Sequence, residues 1–539
     1  MTKSIKLLVC LLLLSSLFSA EAQTINVASC SQTDVQKAFN SITNSTRTVN
    51  IPVGTCHWTS KVSLNVPSGD PNLSVIGAGT CTGTPASSCN DATTIIDDDS
   101  TDSDVLLVLR ISSTFSAKFR FSGISIKGGT GSLKQNGTVA VGGNSHNVRL
   151  DHIHMDLTTY TNPVSRYYIR LDSVTGVVDH SVFEGNSAGQ GALDFWNSFY
   201  NGSTDQTGDH AWAAPTGFGT GDFMFVEDST FNNRGVAGNE HSGSMTDCRA
   251  GKFVIRHNIL NRMGIMDHPT GGNGRGRGCR AREMYLNNLT GTDAAYDNNL
   301  VVAWITSGTA LVWGNSASET GFAKFLSLHS ERKYKQYRSG WGYCGTSFGP
   351  SNFDQNLDVP TGWGCLDQPG QGQSDLLTND FPNVANKATG CRQTSACVWP
   401  RQKLEPVYEW MDSWGCSSCG GTGVGFVTFN EAYSPTVLHN NRDYYVWCDP
   451  SSRSGCTSFN GTVGVGSGLL SARPSACTAG PGGNTPGVGY WATDQNTLYV
   501  CSRTNTWTAY YTPYTYPHPL TQGSDHTRAA PTARRPVVH

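Results

Sequence analysis

The chain has 539 residues, of which only 15% are charged, and its formal net charge of −3 excludes a global attraction to nucleic acid or to a membrane surface. Its 60 glycines and its many Asn, Ser and Thr residues are typical of short strands joined by turns, and long amphipathic helical stretches are almost absent. We therefore expect an all-β protein whose attraction to a charged partner comes from a local patch.

The first 22 residues have the pattern of a secretory signal peptide. Lys3 and Lys6 make the start basic, an apolar run extends from Leu7 to Phe18, and the small residues Ala20 and Ala22 precede the predicted cleavage point. The apolar run is shorter than the ~20 residues that a membrane span requires. No basic stop-transfer cluster follows, which disfavours the alternative of a single N-terminal anchor. The pattern predicts a secreted, extracellular protein without a membrane partner.

The cysteines agree with an oxidising compartment. Of the 17 cysteines, Cys10 lies in the predicted signal peptide, which leaves an even number. Many of the others form close pairs that are typical of local disulfides in an exported chain: Cys81/Cys89, Cys391/Cys397, Cys416/Cys419, Cys448/Cys456 and Cys477/Cys501. Cys416 and Cys419 also have the C-x-x-C spacing of a metal site. No second C-x-x-C and no zinc-finger histidine spacing accompany them, so a loop disulfide is favoured.

The predicted elements begin with one short helix. Thr33 or Asp34 can cap it, and Val35, Ala38 and Phe39 form its apolar face. Short alternating strands separated by Gly and Pro turns follow, at Val49–Cys56, Lys61–Val66 and Leu73–Gly79.

This order resembles the start of pectin-lyase-like right-handed parallel β-helices. The phrases Ile51-Pro-Val-Gly-Thr55 and Val75-Ile-Gly-Ala-Gly79 carry part of the resemblance. Over most of residues 30–520 the chain also resembles a group of uncharacterised exported bacterial β-helix proteins, in the phrases Val254-Ile-Arg-His-Asn258, Arg275-Gly-Arg-Gly-Cys-Arg-Ala-Arg-Glu-Met-Tyr285, Leu404-Glu-Pro-Val-Tyr408 and Tyr511-Thr-Pro-Tyr-Thr-Tyr-Pro-His-Pro519. The resemblance implies a right-handed parallel β-helix with an N-terminal capping helix, and it implies no particular reaction.

An internal repeat gives this fold a physical basis. Five segments align without gaps, each with an apolar residue, a polar residue and then His, Asp or Asn at a shared position: Leu150-Asp-His152, Val178-Asp-His180, Val226-Glu-Asp228, Ile255-Arg-His257 and Leu286-Asn-Asn288. A period near 30 residues fits one β-helix coil per repeat, because a coil buries its inward side chains only when coils stack. The Leu-rich consensus and the Trp-Asp signature of other repeat folds are absent.

The shared polar positions are expected to stack into a ladder along the helix axis. This favours a structural role for His152, His180 and His257. The interval between the second and third segments is 48 residues, and it contains a Gly- and Asp-rich stretch that is predicted to be an inserted loop.

The chain divides into four predicted regions. They are a signal peptide (1–22), a parallel β-helix (23–455) with inserted loops near 201–221 and 340–400, a small C-terminal β module (456–520) and a disordered tail (521–539). The loop near 340–400 is rich in Gly and Cys, which indicates disulfide-tied loops. The module is predicted to be closed by Cys477 and Cys501 and to hide the open end of the β-helix.

The densest polar cluster lies between Glu240 and Glu283, over about two predicted coils. Residues one coil apart become neighbours at the ~4.8 Å spacing of paired strands. β-Elimination in a uronate polymer needs a cation that neutralises the carboxylate and a base that takes the C5 proton. The predicted catalytic residues are His268, Arg277, Arg280, Arg256, Asp247 and Glu283, and the predicted substrate-binding residues are Arg275, His241, Trp196 and Trp212.

Cofactor use is left open by the sequence, with calcium as the candidate ion. Asp247 and Asp267 are candidate calcium ligands, or they pair with the neighbouring arginines. His268 precedes a Pro-Thr-Gly-Gly turn outside the ladder register. If the site is correct, we expect His268, Arg277 and Asp247 to converge in one groove.

Three functions follow in order of preference. The first is a secreted polysaccharide lyase that cleaves a uronate-containing glycan. The second is a glycoside hydrolase, which needs two carboxyl groups, with Glu240, Asp247, Asp267 and Glu283 as candidates. The Asn-Thr-Asp and Gly-His-Gly signatures of polygalacturonase-like enzymes are absent. The third is a non-catalytic glycan-binding or surface β-helix, in which loop tryptophans stack on sugars or serve as packing anchors.

The arginines also have a structural alternative. Arg275 to Arg282 alternate with Gly and Cys, so they can form a charged turn that a disulfide of Cys279 closes. Arg256 can point outward as a solvated residue.

Overall fold

The computed structural model describes residues 22–69, 71–83, 88–100, 105–111, 117–131, 134, 137–160, 167–185, 192–196, 215–233, 244–249, 251–269, 279–291, 301–318, 322, 324–329, 369–374, 402–415, 425–429, 434–436, 438–447 and 459–522. Most of the predicted signal peptide, of the two inserted loops and of the tail lies outside these residues. In the described part, no helix is long and apolar enough to cross a membrane.

The α-helix α1 spans Gln32–Asn40 and packs against the first coil. Its buried face is the predicted one, of Val35, Ala38 and Phe39. The cap is Ser31, whose hydroxyl oxygen accepts a hydrogen bond from the backbone N–H of Asp34 at 3.2 Å. The predicted cap at Thr33 or Asp34 was wrong, because both residues lie inside the first turn.

Three long sheets of parallel strands surround one apolar core. The first sheet contains β1 Gln23–Asn26, β2 Thr46–Asn50, β5 Leu73–Ile76, β8 Lys118–Ser122, β11 Asn147–Asp151, β14 Gly176–Asp179, β17 Met224–Glu227, β20 Lys252–Arg256, β23 Ala281–Tyr285, β26 Thr309–Trp313, β31 Val407–Trp410 and β34 Tyr444–Tyr445. The second contains β3 Gly54–Trp58, β6 Thr93–Asp97, β9 Ser125–Gly128, β12 His154–Leu157, β15 Val182–Gly185, β18 Thr230–Asn233, β21 Ile259–Asn261, β24 Asn288–Thr290, β27 Ser316–Ala317 and β32 Ser413–Trp414. The third contains β4 Val62–Asn65, β7 Leu107–Arg110, β10 Val139–Gly142, β13 Ile169–Asp172, β16 Leu193–Trp196, β19 Ser244–Arg249, β22 Gly264–Pro269, β25 Val301–Ile305, β28 Lys324–Leu328 and β33 Gly425–Phe429.

The chain visits the three sheets in a fixed cycle. From β2 onward each coil adds one strand to the first, the second and then the third sheet, and the next coil pairs with it in parallel. An antiparallel pair, β29 Gln371–Ser374 and β30 Gln402–Leu404, lies in the segment between β28 and β31. The predicted parallel β-helix with its N-terminal helix is confirmed.

Strand register confirms four of the five aligned segments and corrects the fifth. One turn position recurs after the strands of the first sheet, with φ between 49° and 59° at His152, His180, Asp228, His257 and Leu286. Arg256 pairs with Tyr285, so Leu286 rather than Asn288 is equivalent to His257. The predicted alignment was wrong by two residues there, because the position is defined by a left-handed backbone conformation and not by a polar side chain.

A continuous polar ladder lies one residue after that position. Its buried members are Ser181, Ser229, Asn258, Asn287, Asn315 and Asp412. Each side-chain oxygen from Ser229 onward accepts the backbone N–H of its equivalent one coil earlier, at 2.6–3.2 Å. The predicted ladder of histidines is therefore corrected: His152 and His180 stack at 5.6 Å between ring centroids, but His257 stacks on Tyr516 instead.

Disulfides link neighbouring coils and close loops. The pairs in the described residues are Cys30–Cys56, Cys81–Cys89, Cys248–Cys279 and Cys477–Cys501. Two of the predicted close pairs are confirmed, and Cys279 does form a disulfide. The other predicted pairs, Cys391/Cys397, Cys416/Cys419 and Cys448/Cys456, lie outside the described residues.

A small C-terminal sheet follows the last coil. Its strands are β35 Val465–Gly468, β36 Gly489–Ala492, β37 Thr497–Arg503 and β38 Thr506–Tyr511. This C-terminal sheet packs on the outer face of the first sheet, where the Trp491 ring lies 5.1 Å from Trp313 and 5.2 Å from Trp410 between centroids. The module therefore covers a face of the β-helix in addition to lying near its open end.

Residues 512–522, which we name the C-terminal segment, run back along the same outer face. Tyr516 stacks on His257 at 3.8 Å between ring centroids, and the His518 ring lies 4.9 Å from that of Phe225. The last turn, Pro519–Gln522, contacts β14 and β11. The segment thus reaches coils from the middle of the stack.

Candidate functional site

Three of the predicted site residues lie beneath the C-terminal module. Arg256, Arg280 and Glu283 are each 0% exposed. Arg256 donates to Glu227 at 2.7 Å and to two backbone oxygens of the C-terminal segment at 2.8 Å. The alternative in which Arg256 points into solvent was wrong, because the C-terminal segment covers it.

Glu283 and Arg280 are held in a similar way. Glu283 accepts hydrogen bonds from the backbone N–H of Gly219 and from the Tyr511 hydroxyl, both at 2.8 Å, and burial raises its pKa to about 7. Arg280 donates to Glu405 at 2.6 Å. These contacts are with the protein itself, which favours a structural role over the predicted catalytic one.

The remaining predicted residues divide into three groups. His241, Trp212, Arg275 and Arg277 lie outside the described residues. Asp247, Asp267 and His268 lie on β19 and β22, where the structure describes the backbone but not their side chains. Trp196 is fully described and lies on β16.

The third sheet brings Asp247 and His268 together. They are register partners on adjacent strands, at the ~4.8 Å spacing of a sheet. Asp194 is the partner of Asp247, and Arg170 is the partner of Asp194. These four residues, named here the ionisable row, cross four neighbouring strands. The backbones of Asp247 and His268 are adjacent, and the expected convergence of their side chains with Arg277 in one groove stays a prediction.

Trp196 lies beside the ionisable row. It is two residues from Asp194 on one strand, and because the residues flanking Asp194 belong to the core, both side chains are on the outer face. The guanidinium carbon of Arg170 lies 4.0 Å from the centroid of the Trp196 ring, and the guanidinium is also 3.5 Å from a carboxylate oxygen of Asp172. A cation, a partly exposed aromatic ring and two buried carboxylates therefore lie close together on this side of the third sheet.

A cavity of about 150 Å³ lies at the corner where the third sheet turns into the first. Trp196 forms an aromatic wall of this corner cavity. Its ionisable lining is His146 from the turn before β11, Asp222 from the segment before β17, and Lys252 at the start of β20. The fixed cycle of strands places these three residues at one corner because each lies at or just before the start of a strand of the first sheet.

Burial tunes the bases of the corner cavity. It lowers the pKa of Lys252 to about 8, against the opposing effect of Asp222. The Lys252 ammonium lies 4.8 Å from the centroid of the Phe223 ring. Burial also lowers the pKa of His146, whose Nδ1 lies 4.0 Å from an Asp222 oxygen. Both lowered pKa values increase the neutral fraction of the group, and a neutral amine or imidazole can accept a proton.

Most residues of this site have no recognisable signal in the sequence. His146, Arg170, Asp194, Asp222 and Lys252 were all missed. Along the ionisable row, Arg170, Asp194, Asp247 and His268 are spaced by 24, 53 and 21 residues, so no common period connects them. Only strand register reveals that they are adjacent.

Metal binding has no candidate cluster among the side chains that the structure describes. The side chains of Asp247 and Asp267 are outside that set. The calcium hypothesis for these two residues therefore stays a prediction.

Comparisons with known proteins found distant structural likeness only. No protein-family model and no curated protein matches the chain. An alginate lyase from Paenibacillus sp. str. FPU-7 is similar at 13% identity and a TM-score of 0.28, covering 56% of this chain and 97% of the lyase chain. The catalytic domain of a GH87 alpha-1,3-glucanase in complex with nigerose is similar at 10% identity and a TM-score of 0.23, covering 80% of this chain and 68% of that domain. Likeness at this level bears on neither reaction nor substrate.

Proposed function

We propose that the protein is a secreted enzyme that degrades a polysaccharide, and that it is a lyase that cleaves a uronate-containing polymer by β-elimination. The observation that carries the proposal is the corner cavity. Its lining includes the partly exposed Trp196 and Lys252, whose pKa is about 8, and the Arg170 guanidinium, outside that lining, lies 4.0 Å from the centroid of the Trp196 ring. An anionic sugar needs such a lining, because its ring is apolar on one face and its carboxylate needs a cation.

Binding would use Trp196 and Arg170. The indole ring offers an apolar face to a sugar ring. The planar guanidinium can bind the uronate carboxylate through two N–H groups, and it draws electron density from the C5 position when it does so.

Proton removal would use Lys252. Its neutral amine takes the C5 proton, the electron pair of that C–H bond forms a double bond between C4 and C5, and the bond from C4 to the glycosidic oxygen breaks. The leaving oxygen takes a proton from water or from a protonated base. A pKa near 8 keeps a useful fraction of the amine neutral at physiological pH.

Hydrolysis is the second candidate, and the ionisable row favours it. Asp194 and Asp247 are register partners on neighbouring strands. Retaining glycosidases hold their two carboxyl groups about 5–5.5 Å apart, and the ~4.8 Å spacing of paired strands brings the backbones of Asp194 and Asp247 to a similar separation. In this reading one carboxylate attacks the sugar and the other protonates the leaving oxygen.

A panel of acidic and neutral polysaccharides with two readouts tests these proposals. Ultraviolet absorbance from the conjugated unsaturated sugar, together with new reducing ends, supports the lyase. Reducing ends without that absorbance overturn it and support the hydrolase. Retention of a glycan with neither signal overturns both and indicates a binding protein.

Variants link the product to the site. Lys252→Met should abolish the absorbance signal under the lyase proposal, whereas Asp247→Asn should abolish the reducing ends under the hydrolase proposal. Lys118→Met is the matched control, because that lysine is exposed on a strand of the first sheet. Equal activity of Lys252→Met and Lys118→Met would refute the assigned base.

A further inference from the structure

A lysine lies fully buried between two aspartates near the N-terminal end of the β-helix. Lys134 and Asp97 are 0% exposed and Asp99 is 3% exposed. The Lys134 amine nitrogen is 3.6 Å from a carboxylate oxygen of Asp99 and 3.7 Å from one of Asp97. It also donates a hydrogen bond to the backbone oxygen of Asp99. Removing three ionisable groups from water is unfavourable, so a role beyond simple packing is expected for this group of residues.

One carboxylate oxygen of Asp97 is buried without a hydrogen bond from any described residue, which a carboxylate that serves only as an ion-pair partner would not require. Its Oδ1 accepts the backbone N–H of Asp99 at 3.1 Å, while its Oδ2 is buried without a hydrogen-bond partner among the described residues. Burial raises the pKa of Asp97 to about 6. This carboxyl group can therefore take up a proton and release it again.

The backbone fixes the group in place. Asp97 ends β6, and its carbonyl oxygen accepts hydrogen bonds from the N–H groups of Gly129 and Gly131, both at 3.0 Å, and from the Tyr160 hydroxyl at 3.2 Å. A Cβ atom at Gly131 would lie 2.6 Å from the Asp99 carbonyl oxygen. The loop after β9 is thus pressed against the end of β6, and water is excluded from the amine and the two carboxyl groups.

We propose that Lys134 and Asp99 condense into an isopeptide bond, with Asp97 carrying the proton. One proton passes from the Lys134 ammonium to Asp97, and the neutral amine attacks the carboxyl carbon of Asp99. A bond forms between that carbon and the amine nitrogen, the bond to one carboxylate oxygen breaks, and Asp97 and the attacking nitrogen return protons to the departing oxygen. Ammonium and carboxylate become one amide and one water, so atoms and charge balance without a co-reactant.

The product would join two successive coils covalently, since Asp99 follows β6 and Lys134 follows β9. It would add to the disulfide between Cys30 and Cys56 at the same end of the molecule. Such a bond needs no oxidising compartment and resists thiol reductants.

Peptide mass spectrometry of the full folded chain, reduced, alkylated and digested with trypsin, tests the proposal. We expect the peptide that contains Asp99 to be linked to one that runs uncleaved through Lys134, with the loss of one water from their summed mass. Cleavage after Lys134 together with an unlinked Asp99 peptide of full mass would overturn the proposal.

Variants separate the chemistry from folding. Lys134→Arg should abolish the link, and Asp97→Ala should abolish it while leaving both reacting residues in place. Asp99→Asn should still form the link but lose ammonia instead of water. Lys127→Arg is the matched control, because this neighbouring lysine is partly exposed and pairs with Asp91 at 2.6 Å; it should keep the loss of water. A link that survives in Asp97→Ala would refute the role of Asp97.

Discussion

Replacing Asn287 by Ala tests the polar ladder inside the turns. Asn287 is 1% exposed, and its side chain makes four hydrogen bonds. The oxygen accepts the backbone N–H and the side-chain amide of Asn258, both at 3.1 Å. The amide donates to the Ile255 carbonyl oxygen and to the Asn315 side-chain oxygen, both at 2.9 Å. The variant removes all four and leaves a methyl group too small to fill the space.

The size of the effect follows from the partners left behind. The Asn258 amide keeps its bonds to two other carbonyl oxygens, and the Asn315 oxygen keeps the backbone N–H of residue 287. The Asn258 backbone N–H has no substitute partner and is buried. An unpaired buried donor costs about 1–3 kcal/mol, and the lost neutral bonds add about 1 kcal/mol. We expect the free energy of unfolding to fall by about 2–4 kcal/mol.

Urea unfolding followed by circular dichroism measures this change. Asn288→Ala is the matched control, since Asn288 is the next residue and is exposed; surface substitutions of this kind stay within about 0.5 kcal/mol. Unfolding free energies of the two variants that agree within about 0.5 kcal/mol would refute the ladder as a source of stability.

Three further outcomes are expected. Trp196→Ala should weaken glycan binding in affinity electrophoresis by about tenfold or more, whereas Trp507→Ala, outside the corner cavity, should not, and equal retention would remove Trp196 from the site. Lyase activity should rise with pH and level off above about 8, since the neutral Lys252 amine is the base; a rate that falls over this range would exclude it. Glu283 has a folded-state pKa of about 7, raised by burial above its ordinary value of 4.5, so its contribution to stability is present at pH 4 and is lost as pH rises to about 7. Glu283→Gln should therefore flatten the decline in thermal stability between pH 5 and pH 8, and an unchanged pH profile would contradict the burial argument.

The fold was largely predictable because four of the five aligned segments carry a His or Asp at the same turn position, which makes the repeat visible in the sequence. Three of the five equivalent turn positions hold His, a residue that tolerates the left-handed backbone conformation when a carboxylate is near. His152 and His180 each contact the preceding aspartate, at 2.6 and 2.8 Å. Leu286 takes the same conformation without a polar side chain, so the sequence alignment placed Asn288 at this position instead.

The site was less predictable because a highly charged stretch of sequence does not show which distant residues bury its side chains. Arg256 and Glu283 belong to the most charged stretch of the chain, but their covering groups come from far along it. The hydroxyl that binds Glu283 belongs to Tyr511, 228 residues later. No local pattern predicts such a contact.

Adjacency across coils was predicted where loops are short and missed where they are long. Asp247 and His268 are separated by a single coil of 21 residues, and both were selected. Lys252 was missed because its neighbour His146 in the corner cavity lies on the far side of the long inserted segment in sequence, and because the single coil between Asp222 and Lys252 carries no repeated motif at these positions. Strand register shows which residues of different coils are neighbours, whereas the spacing of residues along the sequence does not.

A stack of coils is a one-dimensional object, and such an object frays from its ends because a terminal coil has a single neighbour. The C-terminal segment changes that order in this protein. It leaves β38 of the C-terminal sheet, runs along the outer face and ends against β14 and β11, with the His518 backbone N–H donating to Glu227 at 2.7 Å. The C-terminal segment therefore spans the coils between the C-terminal sheet and β14 on the outer face of the stack. A pulling force applied at the C-terminus would therefore act first on the contacts of the C-terminal segment with the middle coils. The last coils of the β-helix would unfold only after these contacts had broken.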